Sequence, residues 1–300
     1  MFDPEVILGI VHKTIKNNAV FGDLLSPENK ASLINKSLIR TAEVGQILCL
    51  QNQYSNTLFL IITGEVEVST ESNEKKTSLG KLGEGELVGE ISALFMMPRI
   101  ATVTVTQPSV ILEIPYQVFS EILADSPEIQ RTFIKRCKTR IIETTLRCAP
   151  IFSQLDRQSF SELCYVSSIV TANKDHVIVR EGTREKNMYV IGSGTARVYI
   201  TIDGKEVTIA LLQPGDYFGE YSLFTNNSRC ASVSALTDMQ LLVLEGEAFE
   251  SFIEYNEETE EQITQKTLSR KQSLEQMRDN LMARPAMESH LYQIQNRLGT

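Results

Sequence analysis

The sequence contains one pattern twice, and this repeat constrains the fold more than any other feature does. The segment VGEISALFMMPRIATV at 88–103 has a counterpart, FGEYSLFTNNSRCASV, at 218–233. The same offset of 130 residues relates Gly64 to Gly194 and Gly85 to Gly215. One matched pair arises easily by chance, whereas a constant offset along the chain indicates a tandem duplication. We therefore expect two copies of one domain, each of roughly 130 residues.

Each copy is predicted to contain several short strands followed by helices. Leu58, Leu60 and Ile62 alternate with their neighbours, and Asp203-Gly204 is a hairpin turn signal. Residues from Tyr116 to about Leu146 and from Glu247 to about Met282 lack this alternation and are rich in helix formers. Short strands with frequent turns predict a closed antiparallel barrel or a jelly roll. The predicted fold class is α+β, mainly β, with two tandem jelly-roll β-barrels that each have flanking α-helices.

The expected domain boundaries follow from the repeat and from helical spacing at the N-terminus. An amphipathic pattern predicts a short first helix, with apolar residues at Val6, Ile7, Ile10, Val11 and Ile15. We expect an N-terminal helix within residues 1–20, domains at 21–147 and 148–284, and a C-terminal tail at 285–300. Pro150 and Pro285 are expected to lie beyond the ends of helices.

Composition and charge disfavour several classes of protein. A net charge of -9 argues against non-specific nucleic-acid binding through the bulk surface. Five scattered cysteines without a C-x-x-C motif favour a reducing cytoplasm over a disulfide framework. The apolar runs are too short to cross a bilayer, and the three histidines are far apart, which disfavours a metal site. We expect a soluble, cytoplasmic protein without catalytic residues, metal or cofactor.

The repeated segment places a carboxylate and a guanidinium on either side of a short apolar turn. Gly89-Glu90-Ile91-Ser92 precedes residues able to form one helical turn, whose free N–H groups favour an anion. Gly89 has no side chain to block a ligand, and the planar fork of Arg99 suits a phosphate. Glu90 can accept hydrogen bonds from hydroxyls. An anion on the arginine and a hydroxyl on the glutamate describe a sugar phosphate.

An internal salt bridge between Glu90 and Arg99 is the competing interpretation, because many such pairs are structural. The second copy makes this interpretation weaker. The residues between the two charges change, for example from Ile91 to Tyr221, whereas the glycine, the glutamate and the arginine keep their places. Maintenance of the fold alone does not explain why the charged pair is retained, so a ligand site is favoured in both copies.

Both segments resemble the phosphate-binding cassette of the cyclic nucleotide-binding domain family. That family includes the catabolite activator protein, the regulatory subunits of cyclic-AMP-dependent protein kinase and cyclic-nucleotide-gated channels. The kinase-subunit form of the motif, G-E-hydrophobic-small-Leu and a later P-R-x-A-(T/S), is similar to residues 89–102, and Ser228 replaces the proline in the second copy. The resemblance covers about residues 20–283. It implies an eight-stranded jelly-roll barrel with flanking helices and a cyclic nucleotide as the ligand.

The resemblance also implies a role for each site residue. Glu90 and Glu220 would hold the ribose 2′-hydroxyl, while Arg99 and Arg229 would bind the cyclic phosphate with help from nearby backbone N–H groups. Because both copies keep both charged residues, we expect two competent sites. The ligand-binding residues implied in this way are Gly89, Glu90, Ile91, Ser92, Arg99, Ile100 and Ala101, and Gly219, Glu220, Tyr221, Ser222, Arg229, Cys230 and Ala231.

The identity of the base rests on fewer residues. Family members that read cGMP often have a threonine directly after the arginine, where this chain has Ile100 and Cys230. We therefore favour cAMP over cGMP, with a cyclic dinucleotide or no ligand as further alternatives. Cys230 is interpreted as a small apolar filler. Tyr255 is a candidate to stack on the base in the second site, although helical tyrosines more often serve packing.

The output is expected to be a protein partner that recognises rearranged helices. About 16 residues follow Arg284, too few for a helix-turn-helix, so direct DNA binding is not expected. A kinase-like partner is an alternative, although Lys13-Thr14-Ile15-Lys16 does not match an inhibitory sequence. Arg270-Lys271-Gln272-Ser273 is faintly similar to a phosphorylation site, but a solvated helix face is favoured. The oligomeric state stays open, with a homodimer among the alternatives.

Overall fold

The computed structural model of the chain describes residues 4–18, 22–72, 75–225 and 227–298. These residues form two compact units, which divide between Thr144 and Thr145. Each unit has its own β-sheet structure and its own hydrophobic core.

The first unit begins with helices and continues into strands. Its N-terminal elements are α1 (Pro4–Lys16), a 3₁₀ turn (Gly22–Leu24) and α2 (Pro27–Asn35). The strands are β1 (Leu38–Ala42), β2 (Ile47–Cys49), β3 (Thr57–Ser72), β4 (Lys75–Leu82), β5 (Leu87–Val88) and β6 (Thr102–Pro115), with α3 (Glu90–Phe95) between the last two. Two helices follow, α4 (Tyr116–Asp125) and α5 (Pro127–Cys148).

The two long strands, β3 and β6, organise the sheet of the first unit. Neighbouring strands follow the order β1-β6-β3-β4, while β2 also pairs with β6 and β5 with β3, all antiparallel. Within the described strands, no pairing joins β1 to β4, so the sheet keeps open edges. The predicted jelly-roll-like arrangement with flanking helices is confirmed. The expected closure into a barrel is wrong, because β1 and β4, at the two ends of this strand order, do not pair among the described strands.

The second unit repeats this plan, but each long strand is divided in two. It contains a 3₁₀ turn (Pro150–Phe152), α6 (Arg157–Val166), β7 (Ser167–Ala172), β8 (Val177–Val179), β9 (Met188–Ser193), β10 (Ala196–Ile202), β11 (Lys205–Leu212), β12 (Tyr217–Phe218), α7 (Glu220–Thr225), β13 (Ser232–Ala235), β14 (Met239–Leu244), α8 (Gly246–Glu254) and α9 (Glu257–Leu298). Two four-stranded sheets result, in the orders β11-β10-β13-β8 and β12-β9-β14-β7. Under the repeat offset, β9 and β10 correspond to β3, and β13 and β14 to β6.

A repeated glycine explains how the long strands bend. Gly64 lies inside β3 with φ +94°, between register shifts on either side, and Gly194 lies between β9 and β10 with φ +86°. A Cβ on Gly64 would lie 2.1 Å from Oγ of Ser109 and 2.7 Å from the carbonyl oxygen of Pro108. Both the left-handed backbone and the close approach require a residue without a side chain. The glycine therefore allows one strand to serve both layers of the jelly roll.

Alternating residues of these strands fill the interior of each unit. Phe59, Ile61 and Ile111 belong to the core of the first unit. In the second unit, the stacked rings of Tyr189 and Phe218 lie 5.0 Å apart at their centroids. Since successive side chains of a strand point to opposite faces, Leu58, Leu60 and Ile62 share one face of β3, and Phe59 and Ile61 share the other. Both faces are buried, so the predicted alternation does not separate a core face from an exposed one.

Both predicted C-terminal helices are divided, and the last is longer than expected. α4 and α5 separate at Ser126, because the residue before Pro127 is sterically disfavoured in a helix. α8 and α9 separate at Tyr255 and Asn256. α9 then continues past Pro285 to Leu298, so the predicted helix end near Met282 is wrong. A proline removes one hydrogen bond of the helix and can be accommodated by a kink.

None of the helices in the described part of the chain combines the length and the apolar character that crossing a membrane requires.

We predict that Gly64→Ala destabilises the first unit, because alanine must adopt the left-handed backbone and its Cβ meets Ser109 and Pro108. The expected loss is about 1–3 kcal/mol in the free energy of unfolding, measured by urea denaturation. Gly9→Ala in α1 is the matched control, since nothing lies within 4 Å of its added Cβ. The control should be neutral or slightly stabilising. Equal stability of the two variants would contradict this explanation of the bend.

Candidate ligand-binding sites

Each unit contains one cavity that gathers all seven residues predicted for its site. The first cavity is lined by residues 89–92 and 99–101, together with parts of β4 and α5. The second is lined by residues 219–222 and 229–231, together with parts of β11 and α9. Each encloses about 180 Å³. The fourteen predicted residues therefore form two separate clusters, one in each unit.

The glycine of each cassette allows the arginine to approach the backbone. Gly89 has φ +80°, and a Cβ there would lie 2.4 Å from Nη1 of Arg99. Gly219 has φ +89°, and its Cβ would lie 2.7 Å from Nη1 of Arg229. Any side chain at these positions would displace the guanidinium. The glycines thus leave room both for the arginine side chain and for a ligand.

Two backbone carbonyls hold each buried arginine in place. Arg99 is 3% exposed; its Nη1 donates to the carbonyl oxygen of Gly89 (2.5 Å) and its Nη2 to that of Thr57 (2.6 Å). Arg229 is 4% exposed and donates in the same way to Gly219 (2.5 Å) and Asn187 (2.7 Å). The acceptors are neutral, so they fix the position of the guanidinium without cancelling its charge.

One donor nitrogen of each buried arginine has no acceptor. Nε of Arg99 and Nε of Arg229 are buried without a hydrogen-bond partner. Within the described residues, no carboxylate oxygen lies within 4.0 Å of either guanidinium. Burial is the main cause that lowers the pKa of Arg229, as expected for a cation removed from water. A buried cation with an unused N–H is a costly arrangement that an anion would relieve.

The glutamate of each cassette pairs with an arginine on the helix that covers its cavity, outside the cassette. Glu90 is buried, and its Oε1 accepts from Nη1 of Arg140 on α5 (2.8 Å). Glu220 likewise accepts from Nη1 of Arg270 on α9 (2.8 Å). The competing interpretation, an ion pair between Glu90 and Arg99, is therefore wrong. The interpretation of Arg270 as part of a solvated helix face is wrong as well.

Arg140 and Arg270 are the site residues that the sequence interpretation missed. Nη1 of Arg140 also donates to the carbonyl oxygen of Leu87 (2.6 Å), and Nη1 of Arg270 donates to that of Tyr217 (2.9 Å). Burial opposes the charge of each arginine, but the glutamate partner outweighs burial and raises the pKa of both. The signal was available in the sequence, because Arg140 and Arg270 are themselves 130 residues apart.

The helix that covers each cavity gives the two sites different walls. Glu143 and Thr144 of α5 line the first cavity, whereas Lys271 and Leu274 of α9 line the second. Burial raises the pKa of the Cys49 thiol in the first cavity to about 11. Burial also raises the pKa of Cys230 in the second, which keeps this thiol protonated at neutral pH. The interpretation of Cys230 as a packing residue stays a prediction.

Tyr255 does not cover the second cavity. Its side chain is 86% exposed and lines a surface groove between α6 and α8. Tyr255 is the C-cap residue of α8, so the helix ends there and does not extend towards the cavity. The proposed stacking role is therefore wrong, and Leu274 of α9 is the apolar side chain that lines the second cavity from the helix.

We predict that Glu90 and Arg140 are energetically coupled, because removing one partner leaves the other charge buried and unpaired. In a double-mutant cycle with Glu90→Gln and Arg140→Ala, the coupling should reach about 1–3 kcal/mol of unfolding free energy. The exposed pair Lys36–Glu121, at 2.9 Å, is the control and should couple by less than about 1 kcal/mol. Coupling no larger than in this control would mean that the pair contributes nothing to holding α5 at the cavity.

Comparisons with known proteins show which family the chain belongs to. The family model described as the cyclic nucleotide-binding domain matches twice, at residues 39–126 and 169–256. Over 81% of this chain, the sequence is 26% identical to a cAMP-dependent protein kinase regulatory subunit of Yarrowia lipolytica and covers 61% of that protein. Over 76% of this chain it is 28% identical to a cGMP-dependent protein kinase of Caenorhabditis briggsae and covers 29% of it.

The chain also matches a solved structure at low similarity. The regulatory domain of Toxoplasma gondii PKA in complex with cAMP aligns with 18% identity and a TM-score of 0.42, covering 90% of this chain and 99% of that one. The chain spans less than two thirds of the length of the curated relatives named above. The two matches of the family model extend over more than half of the residues. The chain therefore belongs to the cyclic nucleotide-binding domain family, contains two such domains in tandem, and is homologous to regulatory subunits of cAMP-dependent protein kinase.

Proposed function

We propose that this protein is a non-catalytic receptor that binds one cAMP molecule in each of its two domains. The observation that carries the proposal is the unsatisfied Nε of Arg99 and of Arg229 at the wall of a cavity. A cyclic phosphate would supply both the missing acceptor and the missing negative charge. The guanidinium is already positioned by its backbone partners, so little ordering would be required on binding.

The glutamate completes the recognition of a nucleotide. Oε1 of Glu90 is engaged by Arg140, and within the described residues no donor is bonded to Oε2. A ribose hydroxyl donating to this carboxylate would distinguish a cyclic nucleotide from inorganic phosphate. Glu220 and Arg270 offer the same arrangement in the second domain. The proposal therefore assigns phosphate to the unpaired arginine and sugar to the paired glutamate.

The same contacts suggest how binding is signalled. Glu90 connects the cassette to α5 through Arg140, and Glu220 connects it to α9 through Arg270. A ligand that alters the charge around the glutamate changes the strength of this connection. The ligand can shift the helix between two positions only to the extent that it binds more tightly to one of these positions than to the other. We propose that a protein partner recognises the shifted helices, in a reducing cytoplasm that suits five free cysteines.

A kinase catalytic subunit is the second candidate for the effector. The names of the relatives support it, since they are regulatory subunits of cAMP-dependent protein kinase and cGMP-dependent protein kinases. The chain covers only part of those proteins. The kinase effector is therefore proposed from the names of the relatives, whereas the ligand sites are proposed from the geometry of the two cavities. Co-purification of a kinase activity that cAMP releases would favour this candidate over another partner.

We predict that cAMP raises the thermal stability of the purified protein and that two arginines are required. At about a hundred times the dissociation constant, ligand adds about 2.7 kcal/mol to the domain that binds it, or several degrees in Tm. Arg99→Lys and Arg229→Lys keep the positive charge but lose the planar guanidinium. Each should therefore abolish the stabilisation by cAMP of the domain that carries the substitution. Arg197→Ala, at an ion pair on the surface of the second domain, is the control and should respond like the wild type.

A stabilisation by cAMP that survives in the Arg99→Lys, Arg229→Lys double variant would contradict the assignment. If no cyclic nucleotide stabilises the wild type, the arginines are structural and the protein is an adaptor of the same fold.

We also predict that Ile100→Thr and Cys230→Thr shift the preference towards cGMP. A hydroxyl next to the arginine can accept a hydrogen bond from the 2-amino group of guanine, which adenine lacks. One net hydrogen bond of about 0.5–1.5 kcal/mol corresponds to roughly a threefold to tenfold change in the ratio of dissociation constants. Ile100→Val has nearly the shape of the threonine variant without its hydroxyl and measures the effect of size. Cys230→Ser adds a hydroxyl with little change of size and measures the effect of polarity. Calorimetric titration with both nucleotides measures the ratio, and an unchanged ratio in both threonine variants would contradict this basis for selectivity.

A further inference from the structure

A groove on the second unit exposes two tyrosines on an acidic surface. Tyr165 at the end of α6 is 91% exposed, and Tyr255 at the end of α8 is 86% exposed. The groove between them is floored by Val166, Ala248 and Phe252. Aromatic side chains exposed to this extent on one groove are unusual on a surface that meets only water. The cyclic-nucleotide site does not use this groove.

Negative charge surrounds the groove on every element that forms it. α6 and α8 together carry four glutamates and one arginine: Arg157, Glu162, Glu247, Glu250 and Glu254. Glu162 lines the groove itself. The first turn of α9 adds Glu257, Glu258 and Glu260. Lys186 neutralises Glu250 at 3.1 Å, and the remaining glutamates leave the surface strongly acidic. A basic occupant fits this surface.

The first unit carries a helix face of the opposite character. On α5, Arg131, Lys135 and Lys138 are exposed and line a shallow depression with Ile134 and Ile142. Their spacing of three to four residues places them on one side of the helix. Within the described residues, none of the three forms an ion pair. The neighbouring basic residues Arg136 and Arg140 are occupied by Glu86 and Glu90.

We propose that the basic face of α5 in one copy of this chain docks in the acidic tyrosine groove of a second copy. The two surfaces match in charge, and both combine exposed charges with apolar side chains. Tyrosine rings can stack against the lysine or arginine side chains of the incoming helix. Docking would remove both exposed tyrosines from water. Two copies of a chain with a net charge of -9 repel each other overall. Association between copies therefore requires a local match of opposite charges such as this one.

The proposal is independent of the ligand. It concerns surfaces outside both cavities, so a protein that binds no cyclic nucleotide can still associate, and a monomer can still bind. Each chain carries both surfaces, and two copies can therefore exchange two equivalent contacts in a closed dimer or extend the contact to further copies.

Charge reversal gives a direct test with the full chain. The first variant, Lys135→Glu with Lys138→Glu, makes the α5 face acidic. The second, Glu162→Lys with Glu254→Lys, makes the groove basic. Each variant alone opposes like charges, whereas an equimolar mixture restores an acidic–basic match at both contacts. Lys76→Glu with Lys205→Glu and Glu43→Lys with Glu71→Lys are controls of equal charge on exposed positions elsewhere.

Sedimentation velocity over a wide range of protein concentration measures the association at about 50 mM and about 500 mM salt. We expect the wild type and both controls to associate, more weakly at high salt, and each reversed variant to associate at least about tenfold more weakly. The mixture of the two reversed variants should regain wild-type association. Circular dichroism establishes that each variant is folded. If the lysine variant does not fold, Glu162→Gln with Glu254→Gln replaces it as a test of weakened association only, without the mixing experiment. A wild type that is monomeric throughout, association that survives both reversals, or folded variants that do not complement each other would overturn the proposal.

Discussion

A buried guanidinium whose Nε has no hydrogen-bond partner is the feature on which the account of this protein depends. In each domain, two backbone carbonyls hold the arginine against a cavity, and the glutamate of the cassette is paired with a different arginine. The glycine that begins the cassette, the bend of the long strands and the sheet layers all contribute to this position. A cation buried without an anion costs stability. The fold therefore maintains an arrangement that a bound anion would stabilise.

The pair of charges next to it has a different role. Glu90 with Arg140, and Glu220 with Arg270, attach each cassette to the helix that covers its cavity. The carboxylate that makes this connection is also the one proposed to hold the sugar. The ligand and the helix would therefore both contact the same glutamate. The coverings differ between the domains, with Thr144 in the first and Leu274 in the second. The proposed phosphate contacts are thus the same in both domains, whereas the residues that would surround the base differ.

The repeat made the sheets and the two cassettes predictable, because glycine, glutamate and arginine kept one offset in both copies. Arg140 and Arg270 were not predicted, since a charged residue on a helix ordinarily indicates a solvated face and its partner lies 50 residues away. Tyr255, named as a candidate for the second cavity, lies on another surface, because helical spacing does not show where a helix stops. Barrel closure could not be predicted either, because edge pairing depends on the curvature of the strands and not on their pattern.

The central claim is most directly tested by a crystal structure of the protein grown with cAMP. The account predicts one nucleotide in each cavity, with a phosphate oxygen within hydrogen-bond distance of Nε of Arg99 and of Arg229, and a ribose hydroxyl donating to Glu90 and to Glu220. A nucleotide bound elsewhere, or bound in a cavity with both Nε atoms still lacking an acceptor, would contradict it.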